Sequence, residues 1–393
     1  MTLRANCLPL PLAVPILLAL TGCGGGFAGQ EDQNDTEAAP TGSQEAQNAA
    51  DPAPTPEPEP QVTEARSELE SSIDRIGADF GGSLGIAVID VEAGWQTGFN
   101  ENAILPQQSV SKLWVTLAAM KQAEKGELDL AAPIRVTRED LTLFHQPMRK
   151  AILRDGAVET DAADLIERAI QQSDNTANNA LLQRVGGPEA VRATLAELGL
   201  DEIRFGPGEK PMQSAIAGME WNDFYSYGSN FFDARDRVPD SVRREAFQNY
   251  LADPVDGASA AAIARAMAML AGGELLSPAL TERLLATLAD TRSGPRRLKG
   301  GRAEGWVVAH KTGTGQFWNG MQSGYNDVGV LFAPDSTAYA VAVMIGVTDK
   351  PTPARMEMMQ AVTRAVIAYH EAKAAPPSVD DEAEEPEPAP DEA

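Results

Sequence analysis

Cysteine and histidine are scarce in this chain of 393 residues, which has two cysteines and three histidines. Both cysteines, Cys7 and Cys23, lie near the start, so the rest of the chain has no thiol for a disulfide framework, a cysteine metal site or a cysteine nucleophile. His145, His310 and His370 lie far apart, without the spacing of zinc-binding motifs. We therefore expect no metal and no cofactor, and hydrolytic chemistry would have to use serine, lysine or carboxylate side chains.

Basic residues are also in the minority, with 32 Lys and Arg against 57 Asp and Glu and a net charge of −25. We expect no nucleic-acid partner, because binding phosphate groups requires a positively charged surface. Residues 24–62 and 380–393 hold eight acids each and no lysine or arginine. Much of the negative charge therefore belongs to the two ends of the chain.

Residues 1–22 are predicted to be a secretion signal, because a basic residue precedes the apolar run Leu8–Leu20. That run is too short and too rich in proline to span a bilayer. Its end, Leu-Thr-Gly-Cys23, resembles a bacterial lipobox, with an ordinary cleaved signal peptide as the alternative. The resemblance implies a lipid on Cys23 and a periplasm-facing lipoprotein of the cell envelope, in the outer membrane if the host is Gram-negative.

The remaining chain is predicted to contain one folded domain. Residues 23–62 are acidic and rich in proline, which is typical of a disordered tether, and residues 373–393 are predicted to be an acidic disordered tail. Residues 63–372 contain no further proline-rich linker and no repeat. We expect them to form a single catalytic domain and the protein to be a monomer.

Apolar patterns in this domain predict strands near both of its ends and helices between them. The predicted strands are Ser83–Asp90, Gly94–Asn100, Trp306–His310, Asp327–Phe332 and Tyr339–Gly346. The predicted helices include Ser67–Phe80, Ala162–Gln171, Ala177–Val185, Pro188–Leu198, Ala260–Leu270, Pro278–Leu288 and Ala354–Tyr369. The expected fold class is α/β of the α+β type, an antiparallel sheet built from both chain ends with an inserted all-helical lobe, and the cleft between lobes is the expected site.

The first candidate motif is Ser109-Val110-Ser111-Lys112, which precedes an apolar helical pattern. If a helix starts at Ser109, its hydroxyl lies near free backbone N–H groups, and Lys112 follows on the same face. A neighbouring amine is what a serine needs to lose its proton during attack on a carbonyl. However, about one Ser-x-x-Lys is expected by chance in a chain of this length.

Two further motifs also have two interpretations each. Ser173-Asp174-Asn175 could relay a proton and hold a substrate amide, or it could simply cap a helix. His310-Lys311-Thr312-Gly313-Thr314-Gly315 offers an anion site after a strand, or merely a glycine-rich strand and turn. It lacks the glycines that a Walker A loop places before its lysine. His310 itself is expected to be a packed strand residue.

In their order and spacing, the three motifs resemble those of class A serine β-lactamases, members of the penicillin-recognising serine enzymes. The resemblance extends over most of Ser67–Tyr369 and implies the β-lactamase/DD-peptidase-like fold and a β-lactam substrate. It makes Ser109 the acylated nucleophile and Lys112 its activating neighbour. Ser173 would protonate the β-lactam nitrogen, and Asn175 would contact the substrate side-chain amide.

The same resemblance implies a binding site for the substrate carboxylate, formed by Lys311 and Thr312. The backbone N–H groups of Ser109 and Thr314 would form the oxyanion hole. We expect no additional arginine near Asn326 to bind the carboxylate.

A lactamase also needs a base that hydrolyses the acyl-enzyme, and Glu209 lies 36 residues after Ser173, where class A enzymes carry that glutamate. Gln213 would replace the usual asparagine as the second ligand of the hydrolytic water, as in a similar branch of class A. A surface glutamate in a Gly- and Pro-rich loop is the alternative. Gly206-Pro207 replaces the family's usual Asp-Arg pair, and the segment from Trp221 to Tyr250 looks longer than the family's.

Three functions therefore remain open. The first is a serine β-lactamase, and the second is a related D-Ala-D-Ala peptidase, penicillin-binding protein or broader serine hydrolase. Glu209 discriminates between them, because the peptidases lack this deacylating glutamate. The third is a non-catalytic envelope lipoprotein, against which the complete set of serine and lysine residues argues.

Overall fold

The computed structural model describes residues 59–375. The predicted signal 1–22, the lipidation residue Cys23, most of the tether and most of the acidic tail lie outside the described residues. Within residues 59–375, no helix combines the length and the hydrophobicity needed to cross a membrane.

The described residues contain ten strands and twelve α-helices, with short 3₁₀ segments between some of them. The strands are β1 (Ser83–Asp90), β2 (Trp95–Phe99), β3 (Leu105–Pro106), β4 (Ile134–Thr137), β5 (Ala157–Thr160), β6 (Gly257–Ala258), β7 (Val307–Thr314), β8 (Phe317–Trp318), β9 (Met321–Phe332) and β10 (Ala338–Thr348). The helices are α1 (Pro60–Phe80), α2 (Lys112–Glu124), α3 (Arg149–Asp155), α4 (Ala162–Gln171), α5 (Asn175–Arg184), α6 (Gly187–Glu197), α7 (Glu209–Ile216), α8 (Asn230–Arg235), α9 (Asp240–Ala252), α10 (Ala260–Ala271), α11 (Pro278–Ala289) and α12 (Thr352–Ala374).

The main sheet is antiparallel and has the order β2-β1-β10-β9-β7, with β8 paired to β9. Strand β1 from the start of the domain pairs with β10 from its end, and Ala87 lies opposite Ala342. The expected sheet built from both chain ends is confirmed.

Two apolar layers cover the faces of this sheet, because side chains alternate along each strand. Ile86 and Val88 of β1 point into a core shared with α1 and α12. Ala87 and Ile89 point into a second, larger core shared with the helical lobe. Helix α2 lies in that lobe, and every residue from Lys112 to Met120 is buried. Its first residue, Lys112, is therefore a charged residue in a buried position.

Helix α1 begins at Pro60, not at the predicted Ser67, so the last three residues of the predicted tether belong to it. The first buried position of the helix is Ala65, and the turn before it is mostly exposed, so no apolar pattern marks its start. Proline suits the first position of a helix because its missing N–H would have no partner there. The Gln61 side chain also donates to the Ala372 carbonyl oxygen at 2.8 Å, which joins the first turn of α1 to the end of α12.

Strand β7 runs to Thr314, four residues beyond the predicted end at His310. The motif glycine therefore lies in the strand, with Gly313 opposite Asn326 of β9. A Cβ atom at Gly313 would lie 2.3 Å from the Gln107 carbonyl oxygen, so this glycine permits a close approach of two backbones rather than a turn.

Candidate active site

A cleft of about 400 Å³ lies between the sheet edge at β7 and the helical lobe. It is lined by Ser109, Phe144, His145, Gln172, Ser173, Asn175, Glu209, Gln213, Ser293, Gly294, Arg297, Thr312, Thr314, Gly315 and Gln316. Residues from all three sequence motifs and from the Glu209 segment thus meet in one place.

Ser109 lies in a 3₁₀ turn, Gln108–Ser111, and α2 begins only at Lys112. The helical turn that holds Ser109 is therefore 3₁₀, and the α-helix follows it. Gln108, directly before Ser109, has a left-handed φ of 54°, which an α-helix cannot include. Ser109 still lies in a first helical turn, where backbone N–H groups lack intrahelical partners and can serve an anion.

Lys112 is buried and donates to three acceptors: the carbonyl oxygen of Ser173 at 2.7 Å, its Oγ at 3.2 Å, and Oδ1 of Asn175. Among the hydrogen bonds of the described residues, none joins Lys112 to the Ser109 hydroxyl. Burial lowers the pKa of Lys112 to about 8, although the charges of Glu209 and Asp174 oppose that shift.

Ser173 lies between two lysines, because Lys311 Nζ also donates to its Oγ, at 3.0 Å. Its φ of 57° is left-handed, a strained conformation for serine that is typical of functional sites. Asp174 caps α5 by accepting from the backbone N–H groups of Thr176 and Ala177. The capping interpretation is confirmed for Asp174, while Ser173 before it lines the cleft and its role as proton relay stays a prediction.

Lys311 is fully buried in β7, and its second acceptor is the Thr312 carbonyl oxygen at 2.9 Å. Burial, together with the charges of Lys112 and Arg297, holds the pKa of Lys311 well below its usual value. A bound carboxylate would offset the repulsion from these two cations, so this end of the cleft suits an anion. The neighbouring His310 is buried, with Nδ1 2.8 Å from an Asp327 oxygen, as expected for a packed strand residue.

Arg297 lies at the same end of the cleft, and sequence reasoning missed it. Its guanidinium donates to the carbonyl oxygens of Gly313 at 2.9 Å and Asn326 at 2.6 Å, and to the Thr314 hydroxyl at 2.6 Å. The expectation that no arginine lies near Asn326 is therefore wrong. Arg297 comes from the loop before the 3₁₀ segment Leu298–Gly301, and no short motif in the sequence marks its approach to β7 and β9.

Thr312 is the remaining predicted ligand at this end of the cleft. It is buried, and its hydroxyl lies 2.7 Å from that of Ser293. Either hydroxyl can donate to the other, so one hydrogen of the pair stays available to an anion in the cleft.

Glu209 is the first residue of α7 and faces the cleft, where it accepts from Asn175 Nδ2 at 2.9 Å. It is thus neither in a loop nor on an outer surface. Burial raises the pKa of Glu209, while the charges of Lys112 and Lys311 oppose the rise. A carboxylate poised in this way can act as a general base.

Asn175 connects the two sides of the cleft. Its Nδ2 donates to Glu209 and to the Leu143 carbonyl oxygen at 2.9 Å, while its Oδ1 accepts from Lys112. Both amide hydrogens are therefore engaged within the protein, and the predicted contact with a substrate amide would require one of them to be released.

Gln213, one turn after Glu209, also makes protein contacts. Its Nε2 donates to Gln108 Oε1 at 2.9 Å, and its Oε1 accepts from Gln316 Nε2 at 2.9 Å. An amide oxygen has a second lone pair, so a role as water ligand stays a prediction.

Known proteins resemble this chain over most of its length. A family model described as the beta-lactamase enzyme family matches residues 68–370. Extended-spectrum β-lactamase PER-1 of Pseudomonas aeruginosa is 29% identical over 241 residues, 61% of this chain and 67% of the relative. β-Lactamase CTX-M-25 of Escherichia coli is 25% identical over 301 residues, 76% of this chain and 88% of the relative.

Solved structures show the same fold. A β-lactamase from Chitinophaga pinensis has a TM-score of 0.62 and 25% identity, and the match covers 77% of this chain and 98% of that one. The TLA-1 extended-spectrum β-lactamase has a TM-score of 0.64 and 23% identity over the same shares. With the family model spanning most of the chain and the cleft carrying the expected serines and lysines, this protein belongs to the β-lactamase enzyme family.

Proposed function

We propose that the protein is a serine β-lactamase that opens the β-lactam amide through an acyl-enzyme on Ser109, which Glu209 then helps to hydrolyse. Such an activity would protect its host against β-lactam antibiotics. The observation that carries the proposal is the pairing of Glu209 with Asn175 in the same cleft as Ser109. A peptidase of this family would lack a base there.

Acylation begins when Ser109 Oγ attacks the β-lactam carbonyl carbon and its proton passes to neutral Lys112. The carbonyl oxygen becomes an oxyanion, which the N–H groups of Ser109 and Thr314 stabilise. When the ring C–N bond breaks, the nitrogen takes a proton from Ser173 Oγ. A lysine then restores that proton, since Lys112 and Lys311 both contact the hydroxyl.

The substrate carboxylate binds at the end of the cleft beside β7. Lys311 and Arg297 supply positive charge there, and the hydroxyls of Thr312 and Thr314 supply donors. A charge-assisted hydrogen bond is stronger than a neutral one, so this end orients the substrate before reaction.

Deacylation requires a water molecule that attacks the ester carbonyl carbon of the acylated Ser109. Glu209 takes a proton from this water, and Gln213 helps to orient it. The ester C–O bond then breaks, and the proton that Glu209 took from the water passes to the leaving Ser109 oxygen, which releases the opened product and restores both residues.

Time-resolved intact-mass spectrometry of the chain from Gly24 onwards, mixed with a cephalosporin, tests the proposal. The wild type should show a Ser109 adduct that forms and disappears as substrate is consumed. Ser109→Ala should form no adduct, whereas Glu209→Gln should keep it. Glu220→Gln, which changes an exposed glutamate nearby, is the matched control and should behave as the wild type.

Two results would contradict this assignment. Equal residual turnover in the Ser109 and Glu209 variants would exclude the proposed roles of both residues. A wild-type adduct that persists after mixing would favour a penicillin-binding protein.

We also propose that the enzyme is a monomer held in the cell envelope by a lipid on Cys23, where it would meet β-lactams entering the periplasm. The lipobox-like sequence before Cys23 supports this location. Replacement by Cys23→Ser should move the enzyme from the membrane fraction to the soluble periplasmic fraction. An unchanged membrane fraction would contradict lipid anchoring.

A further inference from the structure

The segment between α7 and β6 sends two side chains, Tyr250 and Asp256, to the residue that precedes the nucleophile. It contains the 3₁₀ turn Asp223–Ser226, α8 and α9. Near the end of α9, Phe247 packs against Trp318 with ring centroids 5.7 Å apart. Tyr250, one turn later, is buried, and its hydroxyl reaches the turn that holds Ser109.

The Tyr250 hydroxyl makes two buried hydrogen bonds. It donates to Asp256 Oδ1 at 2.9 Å and accepts from Gln108 Nε2 at 2.5 Å. The other carboxylate oxygen of Asp256 accepts from the Gln108 backbone N–H at 2.7 Å. Tyr250 and Asp256 together therefore hold both the main chain and the side chain of Gln108.

Gln108 needs such a hold because its φ of 54° is left-handed, a region that residues with a side chain rarely adopt. A strained conformation of this kind persists only where the surroundings over-determine it. Here Gln213 supplies a further contact, by donating to Gln108 Oε1 at 2.9 Å. The side-chain amide of Gln108 is thus fixed at both its nitrogen and its oxygen.

The conformation of Gln108 decides the direction of the next peptide N–H, which belongs to Ser109. Under the proposed mechanism that N–H is one of the two donors to the oxyanion, and such donors act only when their geometry is fixed before reaction. A small rotation at Gln108 would move the donor and the nucleophile together.

We propose that Tyr250 is a positioning residue for the nucleophile and the oxyanion hole, acting through Gln108. The inference rests on the proposed role of Ser109. It gives the segment between α7 and β6 a function in the reaction: α9 delivers the hydroxyl that keeps the strained turn in its active conformation.

The test is Tyr250→Phe, which removes only the hydroxyl and keeps the packed ring. With active sites counted by a covalent titrant, kcat for a chromogenic cephalosporin should fall about 10- to 100-fold, since misplacing catalytic groups by a fraction of an ångström has effects of this order. KM should change little. The affinity for phenylboronic acid, whose tetrahedral adduct on serine mimics the oxyanion, should fall in parallel with kcat.

Two control variants separate positioning from folding. Tyr225→Phe removes a hydroxyl from the same segment away from Gln108, and Phe247→Leu weakens the packing of α9 while keeping the Tyr250 hydroxyl. Both should keep kcat per active site close to the wild-type value, even where the melting temperature falls. If Tyr250→Phe keeps the wild-type kcat per active site, or if Phe247→Leu loses as much, the positioning role is wrong.

The boronate measurement also separates this inference from the proposed function. A wild type that binds phenylboronic acid but does not hydrolyse the cephalosporin would contradict the lactamase assignment alone. The positioning role would then be tested by boronate binding alone: a lower affinity for phenylboronic acid in Tyr250→Phe than in the wild type would support it, and an equal affinity would contradict it. A wild type that binds no boronate would overturn both proposals.

Discussion

The two walls of the cleft are held by different kinds of contact. One wall, which we call the acylation wall, carries Ser109, Lys112, Ser173 and Lys311, which lie in regular elements or in the turn directly before one. The other, which we call the deacylation wall, carries Glu209 and Gln213, and its contacts with the rest of the site run through side-chain amides.

The difference follows from charge. The acylation wall buries two lysines whose charges repel each other, so their ammonium groups must be fixed by several acceptors. Backbone carbonyls and the Ser173 hydroxyl supply most of these. The deacylation wall has a single carboxylate, and neutral amides such as Asn175 can hold it, so its geometry depends on residues that are far apart in the sequence.

The largest expected effect comes from removing a charge from the acylation wall. Lys112→Met should slow acylation by roughly 10³-fold, because loss of a general base has effects of about this size. The change also leaves Asn175 Oδ1 without its ammonium donor, so the link to the deacylation wall is weakened as well.

Lys125→Met is the matched control, since Lys125 follows the same helix but pairs with Glu197 on the surface. Pre-steady-state mass spectrometry of the acyl-enzyme gives the rate constant directly. An unchanged acylation rate in Lys112→Met would exclude Lys112 as the base.

The pH dependence of acylation should show how the walls are coupled. Below about pH 8 Lys112 is an ammonium, and its three hydrogens match its three acceptors, so no lone pair can accept a proton. The acylation rate should therefore rise about tenfold per pH unit as the fraction of neutral Lys112 grows, and it should level off above about pH 8.

The variant Glu209→Gln sharpens this prediction. The negative charge of Glu209 raises the pKa of Lys112, so its removal should shift the acid limb of acylation to lower pH. Rapid-quench measurements from pH 5 to 10, in both proteins, would reveal the shift. An acid limb that stays in place would mean that another group takes the Ser109 proton.

The acylation wall could largely be predicted from the sequence because its residues lie in short motifs beside regular elements. Strand β1 has its predicted bounds, and the order of strands and helices predicted the sheet from both chain ends. The turn at Ser109 could not be predicted, because the hydrogen-bond partners of the left-handed Gln108, Tyr250 and Asp256, lie more than a hundred residues away. The spacing of apolar residues indicates which face of a helix is buried, but it does not indicate which distant side chain contacts its first turn.

Arg297 was missed for a related reason: its position depends on how a loop packs against two strands.

Arg297→Lys keeps the charge but loses the planar fork, so KM for a cephalosporin should rise about tenfold with little change in kcat. Esterifying the substrate carboxylate should then cost less affinity in the variant than in the wild type. Arg296→Lys, at the exposed neighbouring position, is the control. If esterification lowers the affinity equally in Arg297→Lys and in the wild type, Arg297 does not contact the substrate carboxylate.

The smallest expected effect concerns the rim of the cleft. Phe144 has a left-handed φ of 59° and packs edge-to-face on buried Phe231, with ring centroids 5.3 Å apart. An aromatic pair contributes about 0.5–1.5 kcal/mol, so Phe231→Leu should loosen Phe144 without moving either wall. The ratio of the KM values for substrates with bulky and with small acyl side chains should then change by a factor of about three, towards one. Phe224 is 65% exposed, so the control Phe224→Leu should leave this ratio unchanged. A fall in kcat for every substrate would instead mean that this aromatic contact supports the deacylation wall, since α7 directly precedes the segment that contains Phe231.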